Sequence, residues 1–235
     1  ISLTGLQVTP HLRPNAGFDF GAWRDLLRAG VADGAGRVLL ANDSVFGPIG
    51  PLSPAIDRMR AQDLDAWGMV ESREHGRHLQ SWFIDFAAPA LAAPAVARVF
   101  DQPFEAMGKR EVVARGELAL GAAMRAEGLR FAGVAASRRR ANPMHYSWRS
   151  MLAAGVPFLK AELVRDNPWR IGWAHIWRRE AERRGYPPER IDAALGASDG
   201  RRWTTPMPRL SASDRIHQLV VTEDRSSALA ALLRL

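Results

Sequence analysis

Apolar residues recur along this chain in two patterns, as short unbroken runs and as runs with helical spacing. The short runs predict strands at 1–8, 37–41, 66–70, 80–86 and 129–135. Residues three or four positions apart predict helices at 20–29, 56–60, 89–100, 109–128, 146–154, 168–184, 189–195 and, more weakly, 226–235. This alternation of strands and helices predicts an α/β fold with a helical C-terminal extension.

Chain length and composition fit one large domain, or one domain with an appended tail. The chain has 235 residues, 47% of them hydrophobic and none of them cysteine. A lack of cysteine fits a reducing compartment, and no apolar run approaches the roughly 18 residues that would span a bilayer. Because the chain begins at Ile1 without a signal peptide, we expect an excised or trimmed cytoplasmic product.

The charge balance is basic, with 32 Lys and Arg against 25 Asp and Glu. Such a balance suits an anionic small ligand, an anionic membrane surface or nucleic acid, and it also suits an ordinary solvated surface. Aromatic residues are not interleaved with the arginine runs except between Trp169 and Trp177. We therefore expect no nucleic-acid partner.

The strand predicted at 37–41 ends in three polar residues, Asn42, Asp43 and Ser44. Ligands of open α/β sheets bind outside the carboxyl ends of strands, so this edge is the first candidate site. The carboxylate of Asp43 suits a divalent cation that neutralises a diphosphate. The alternative is that Asn42 and Asp43 only cap the proline-rich loop that follows.

A glycine-rich turn precedes the first predicted helix. Gly17 and Gly21 permit close backbone approach, and Asp19 can accept a hydrogen bond from a base, a ribose hydroxyl or backbone amides. The alternative is that Asp19 only caps the helix that begins near Phe20.

A single carboxylate, Glu117, lies within the apolar helix predicted at 109–128. At the rim of a partly dry pocket, burial raises the pKa of a carboxyl group, which suits a general base. The alternative is a surface glutamate paired with Arg115 or Arg110.

Polar and aromatic side chains stand together at the start of the strand predicted at 80–86. Gln80, Ser81 and Trp82 offer an amide, a hydroxyl and an indole, which suit a sugar. The alternative is an ordinary strand start with a buried tryptophan. His78 is interpreted as a loop histidine.

A basic loop, Arg138 to Arg140, precedes His145. Arginine forks beside a helix start suit phosphate, and neutral imidazole suits a divalent metal ion. A solvated charge run is the alternative.

Three tryptophans, Trp169, Trp173 and Trp177, fall on one face of the helix predicted at 168–184, with arginines around them. This composition is typical of an interfacial helix on anionic lipid. The alternative is a tryptophan stripe packed on the domain.

Taken in order, five segments resemble the rhamnan synthesis protein F family of bacterial polysaccharide glycosyltransferases, from about Leu12 to Pro168. The segments are Asn15–Trp23, Asn42–Pro48, Trp67-Gly68, His78–Phe83 and Gly155–Pro168. The resemblance implies a GT-A-like (Rossmann-type) mixed sheet flanked by helices. It also implies a core over 1–168, with its first strand-helix units truncated, and a helical extension over 169–235.

The resemblance also implies roles for individual residues. Glu117 would be the catalytic base, and Gln80, Ser81 and Trp82 would face the acceptor or sugar. Asp43 and His145 would hold a divalent cation, Mg²⁺ or Mn²⁺, although Asn-Asp-Ser keeps only one carboxylate of the related Asp-x-Asp motif. The residues implied at the nucleotide sugar are Asn15, Gly17, Asp19, Asn42, Ser44 and Lys160.

The implied activity is an inverting glycosyl transfer, with rhamnose from a dTDP donor as the expected sugar. The expected acceptor is a lipid-linked glycan at the inner face of the plasma membrane, with peripheral contact to that membrane. The alternative function is a non-catalytic glycan- or partner-binding domain of a larger polysaccharide-assembly protein.

Overall fold

A mixed β-sheet forms the centre of the protein. The computed structural model describes residues 7–196, 203–205 and 209–221, so most of the strand predicted at 1–8 and the helix predicted at 226–235 lie outside the described residues. The strands are β1 (Arg37–Ala41), β2 (Val45–Phe46), β3 (Ala66–Ser72), β4 (His78–Leu79), β5 (Phe83–Ala87), β6 (Phe131–Ala136) and β7 (Leu159–Lys160).

The pairing of the strands brings three carboxyl ends to one edge of the sheet. β5 lies between β1 and β3 and runs antiparallel to both. Ala66 pairs with Phe131 as well as with Phe86, so β6 lies on the other side of β3, and it runs parallel to it. β1, β3 and β6 therefore point the same way, and the polar segments that follow them meet at one edge.

Helices cover both faces of the sheet. They are α1 (Phe18–Arg28), α2 (Ser53–Arg60), α3 (Ala88–Leu91), α4 (Pro94–Phe100), α5 (Lys109–Val112), α6 (Ala119–Ala126), α7 (Pro143–Tyr146), α8 (Trp148–Ala153), α9 (Ala161–Arg165), α10 (Trp177–Glu182), α11 (Glu189–Ala194) and α12 (Ala212–Val221). A π-helical turn (Val113–Leu118) joins α5 to α6, and short 3₁₀ turns lie at Phe104–Ala106 and Ala174–Ile176.

Side chains of β3, β5 and β6 enter two different hydrophobic clusters. Ile84 and Phe86 pack with residues of α1, α4 and α6. Phe83 and Trp67 pack with residues of α2, α7 and α8 on the other face. Because both faces are covered, all seven residues of β3 are buried.

The α/β class is confirmed, and the sheet is mixed as predicted. Three of the four strand pairings in the main sheet of the described residues are antiparallel, and only the β3–β6 pairing is parallel. Rossmann-type sheets are mostly parallel. This topology therefore supports the coarser α/β description, and the GT-A-like assignment stays a prediction.

The helix predicted at 168–184 is wrong in its first half. Asn167 and Arg170 have φ angles of 43° and 53°, which interrupt a right-handed helix, and the α-helix begins only at Trp177. The Trp177 side chain is 1% exposed, in the core. The three tryptophans therefore do not form one lipid-facing stripe.

The C-terminal helices share a core with the preceding residues. A third cluster contains Trp148 and Leu159 from before Pro168, and Trp177 and Ile191 from after it. The division into 1–168 and 169–235 stays a prediction. Within the described ranges, no helix has the length and apolar character needed to cross a bilayer.

Candidate functional site

A cleft of about 760 Å³ lies at the edge of the sheet where β1, β3 and β6 end. Side chains from many separate segments line it, as is usual for ligand sites in α/β proteins. It brings together all but two of the twelve residues to which the family resemblance gave a role. The residues brought together are Asp19, Asn42, Asp43, Ser44, Gln80, Ser81, Trp82, Glu117, His145 and Lys160.

The two exceptions, Asn15 and Gly17, are not among the residues that line the cleft. Gly17 has a φ angle of 77°, and a Cβ atom there would lie 3.0 Å from the backbone of Phe104 and Glu105. A Cβ on Gly21 would lie 2.8 Å from the carbonyl oxygen of Ala16. These glycines therefore allow close approach of the protein's own backbone.

A hydrogen-bonded turn closes the end of β1. The backbone N and Oγ of Ser44 donate to Asn42 Oδ1, at 3.0 and 2.6 Å, in the manner of an Asx turn. Asn42 Nδ2 donates to Asp19 Oδ2 at 2.6 Å. Asn42 therefore joins the end of β1 to the first turn of α1, while Asp43 is left exposed to the cleft.

Asp19 is bound by Asn42 rather than acting as a helix cap. The residue that caps α1 is Gly17, and the cap makes no side-chain hydrogen bond. Burial raises the pKa of Asp19, while the hydrogen bond from Asn42 lowers it in part. The carboxyl of Asp19 thus lies in a partly dry part of the cleft.

Lys160 is held beside the turn by the small sheet of β2 and β7. Val45 pairs with Lys160, the Ala161 N–H donates to the Ser44 carbonyl at 2.9 Å, and Lys160 Nζ donates to Ser44 Oγ at 3.0 Å. Burial lowers the pKa of Lys160, and the nearby carboxylates, that of Glu117 foremost, act in the opposite direction. An ammonium group with few protein partners therefore faces the cleft.

Asp43 and His145 do not form a metal centre with other protein ligands. Nowhere in the described part of the chain do three His, Cys, Asp or Glu side chains come close enough to share a metal ion. His145 Nε2 lies 3.6 Å from Glu162 Oε2. The divalent cation expected at Asp43 and His145, with substrate phosphates as further ligands, stays a prediction.

Glu117 projects into the cleft from the π-helical turn between α5 and α6. Its Oε2 accepts hydrogen bonds from the N–H and Oγ of Ser81, at 2.7 and 2.6 Å, and its Oε1 lies 3.5 Å from His78 Nε2. Arg115 pairs with Glu111 instead, so the alternative surface pairing with Arg115 is wrong. π-Helical turns are frequent at functional sites.

The pKa of Glu117 moves opposite to the sequence-based expectation. Burial raises it, but the hydrogen bonds from His78 and Ser81 outweigh burial and leave the pKa lowered. Burial lowers the pKa of His78, and Glu117 outweighs that effect and leaves it raised. Glu117 is therefore an ionised carboxylate beside an imidazolium, rather than a carboxyl group that titrates near neutrality.

His78 is a cleft residue that the sequence argument missed. Its Nδ1 lies 2.9 Å from the Gly76 carbonyl, and because a carbonyl only accepts, Nδ1 carries the proton. Nε2 then faces the Glu117 carboxylate, which also only accepts when ionised. This geometry favours a second proton on His78, so the two side chains form an ion pair.

A bulge in the β3–β5 hairpin places Ser81 against Glu117. Ser72 pairs with His78, whereas Gly68 pairs with Ile84, so the offset between the strands grows by two residues. The extra residues are Ser81 and Trp82. Bulges of this kind re-aim side chains and are common next to active sites.

The side chains of Trp82 and Gln80 are buried and hydrogen-bonded to other protein groups. The Trp82 ring is 2% exposed and packs on Phe158, and its Nε1 donates to Gln80 Oε1 at 3.1 Å. Gln80 Nε2 donates to Asn142 Oδ1 at 3.0 Å. The alternative of a buried tryptophan is thus the observed one, and this ring offers no face on which a sugar stacks.

The His78–Glu117 pair predicts a pH-dependent contribution to stability. Because the pKa of His78 is raised in the folded protein, protonated His78 stabilises the fold at pH values below 6.5, the ordinary pKa of histidine. This stabilisation is lost as the pH rises through the pKa of His78 in the folded protein. The lowered pKa of Glu117 stabilises the fold above its ordinary value of 4.5. Urea unfolding should therefore show the largest cost of His78→Gln between these two values, and a smaller cost at pH 8.5.

Exposed His11 offers the matched control for this experiment. His11→Gln should change the free energy of unfolding by less than about 0.5 kcal/mol at each pH. A cost of His78→Gln that does not vary with pH would contradict the ion pair and leave only a packing role for His78.

Comparisons with known proteins agree with the resemblance seen in the sequence. Two relatives, each named virulence protein VirA, from Vibrio anguillarum and its strain ATCC 68554 / 775, are 25% identical over 207 residues. The match covers 72% of this chain and 66% of each relative, so the chain spans about two thirds of their length. No solved structure matches the chain significantly. The family model described as rhamnan synthesis protein F matches residues 3–184, and the chain therefore belongs to this family of polysaccharide synthesis.

Proposed function

We propose that this chain is a glycosyltransferase that binds a nucleoside-diphosphate sugar in the cleft and transfers the sugar with inversion. The observation that carries the proposal is the presence, in one cleft, of the carboxylate of Glu117 and the ammonium of Lys160. The first can receive a proton from an acceptor, and the second can stabilise a leaving diphosphate. Membership of the rhamnan synthesis protein F family supports rhamnose as the sugar, and a dTDP donor and a GT-A-like core belong to the same proposal.

The nucleotide sugar would bind beside the Asn42–Ser44 turn. Lys160 lies within hydrogen-bond distance of Ser44, and Lys109 and Arg140 also line the cleft. A diphosphate placed there meets positive charge without a resident metal centre. Asp43 is available to a divalent cation that arrives with the substrate. Such a cation would add to the positive charge of the lysines and arginine rather than supply most of it.

The transfer step follows from these positions. The acceptor hydroxyl gives its proton to Glu117 as its oxygen forms a bond to the anomeric carbon. The bond from that carbon to the diphosphate oxygen breaks, and its electrons stay with the diphosphate, which Lys160 stabilises. Ser81 occupies Oε2 of Glu117, so the acceptor hydroxyl would approach Oε1, which His78 Nε2 also faces at 3.5 Å.

The acceptor and its location belong to the same proposal. A growing glycan on a lipid carrier at the inner face of the plasma membrane would present its terminal hydroxyl to Glu117. Rhamnan synthesis, as named in the family description, supports a glycan acceptor.

Calorimetric titration of the chain with dTDP and with UDP tests the proposal directly. We expect dTDP to bind, with less than about a tenfold change in Kd when Mg²⁺ or Mn²⁺ is added, because Lys160 supplies the main positive charge. A strict requirement for metal would instead assign the diphosphate to a cation at Asp43. Failure of both nucleotides to bind would contradict the transferase and favour a non-catalytic glycan- or partner-binding domain.

A further inference from the structure

One large aromatic ring in the cleft is free to meet a ligand. Trp169 is 53% exposed and lines the cleft. Its loop is held on both sides: Asn167 Oδ1 accepts from the Ile171 N–H at 2.8 Å, and Gln218 Nε2 donates to the Arg170 carbonyl at 2.7 Å. The ring is thus an exposed apolar surface on an ordered part of the backbone.

Polar groups lie beside this ring. The Trp169 and His145 rings meet edge to face, with centroids 6.2 Å apart. His145 is 2% exposed, and its Nδ1 has no hydrogen-bond partner within the described residues. Glu162 Oε2 lies 3.6 Å from His145 Nε2, and the Glu162 side chain is 37% exposed. An aromatic face, a carboxylate and an imidazole therefore share one wall of the cleft.

We propose that Trp169 and Glu162, backed by His145, form a subsite for the acceptor saccharide. This inference rests on the proposed function and names the part of the cleft that takes the glycan. A pyranose has an apolar face, which suits an exposed indole, and a ring of hydroxyls, which donate to a carboxylate. Apolar walls with a few placed polar groups are typical of small-molecule sites.

The wall formed by Trp169 and Glu162 lies near the groups that the proposed transfer step uses. Lys160 interacts electrostatically with Asp19, Glu117 and Glu162, so the proposed base and the proposed saccharide wall both lie near its ammonium group. Asp19 is hydrogen-bonded to Asn42, in the turn beside which the nucleotide would bind. The saccharide wall, the base and the diphosphate would then lie around the same ammonium group, where the transfer step takes place.

The geometry disfavours a membrane surface as the occupant. Glu162 would repel anionic headgroups, and Arg170 pairs with Asp214 at 3.5 Å. Trp173 stacks on His175, and Trp177 is buried. Only one of the three tryptophans therefore has an open face of this size, and that face belongs to a cleft with an acidic wall.

Binding of a saccharide in the absence of donor tests the subsite without any turnover. The probe is a rhamnose disaccharide as its methyl glycoside, titrated into the full chain by calorimetry and followed by tryptophan fluorescence. We expect Trp169→Ala to weaken its binding by about tenfold and Trp169→Phe by less. Glu162→Gln should also weaken it, while the Kd for dTDP stays unchanged in the two Trp169 variants.

Trp173→Ala is the matched control, since Trp173 does not line the cleft and this variant should bind the disaccharide as the native chain does. Equal disaccharide binding by the native chain and Trp169→Ala would overturn the subsite, as would a native chain that binds dTDP but no disaccharide. Loss of binding to phosphatidylglycerol vesicles in Trp169→Ala, with disaccharide binding intact, would also overturn it. Disaccharide binding through Trp169 without dTDP binding would support the subsite while the transferase fails.

Discussion

Glu117→Gln should reduce the rate of glycosyl transfer by roughly 10²- to 10⁴-fold, the usual contribution of a positioned general base. The amide cannot take the acceptor proton, yet it keeps the shape of the side chain and can still accept a hydrogen bond from Ser81. The Kd for dTDP, measured by calorimetry, should change little. The effect should therefore fall on kcat, which a steady-state assay with dTDP-rhamnose and a glycan acceptor would measure.

Glu111→Gln provides the matched control for that assay. Glu111 lies six residues earlier on the same helical segment, pairs with Arg115 and is 47% exposed, so its variant should transfer at the native rate. A Glu117→Gln variant that turns over within about twofold of the native chain would show that another group takes the proton.

Lys160→Met should reduce kcat/KM by about 10²- to 10³-fold, since removing one donor to a developing oxyanion has an effect of that size. Methionine fills a similar volume without charge, and Ser44 remains hydrogen-bonded to Asn42. We also expect the variant to bind dTDP more weakly, which calorimetry would detect. A Lys160→Arg variant should retain part of the activity, because it keeps the charge but changes its geometry.

Arg110→Met removes the same charge from an exposed position that does not line the cleft. It should leave both kcat/KM and the Kd for dTDP near their native values. If Arg110→Met and Lys160→Met had equal effects, the general field of this basic chain, rather than contact by Lys160, would account for diphosphate binding.

Local patterns were sufficient to predict the four longest strands of the described residues, β1, β3, β5 and β6, and the edge at which the cleft lies, but not the two-residue strands. The apolar run at 37–41 is the strand β1, and Asn42 to Ser44 follow it at the cleft. A run of this kind depends on neighbours in sequence, as does the glycine-flanked turn before α1. Such local features can therefore be predicted from the sequence without knowledge of the fold.

The failed prediction at 168–184 has a tertiary cause. Tryptophan and arginine spacing there is helical, but Asn167 fastens its side chain to both backbone groups of Ile171. Gln218, from α12, bonds the backbone on the other side of the turn. Helical periodicity carries no information about a partner as distant in sequence as Gln218, so the pattern predicted a helix that these hydrogen bonds prevent.

The electrostatic environment of Glu117 also could not be predicted from the sequence. Its pKa depends on His78, which lies 39 positions earlier in the chain and reaches it across the packing of α6 on β4. That packing is close: a Cβ atom on Gly121 would lie 2.6 Å from the His78 Cβ. The burial of Glu117 was predicted, but its pairing with His78, which reverses the effect of burial on the pKa of Glu117, was not.

The two-residue bulge at Ser81 and Trp82 has a consequence for how this hairpin can vary in length. Side chains of a strand alternate between the two faces of the sheet. Adding or removing one residue would therefore move every later side chain of the strand to the opposite face. A change of two residues keeps each side chain on its own face, and Ile84 and Phe86 keep their places in the core. Length changes that this hairpin tolerates should therefore come in pairs, and removal of this pair would leave an intact sheet without the serine that holds Glu117.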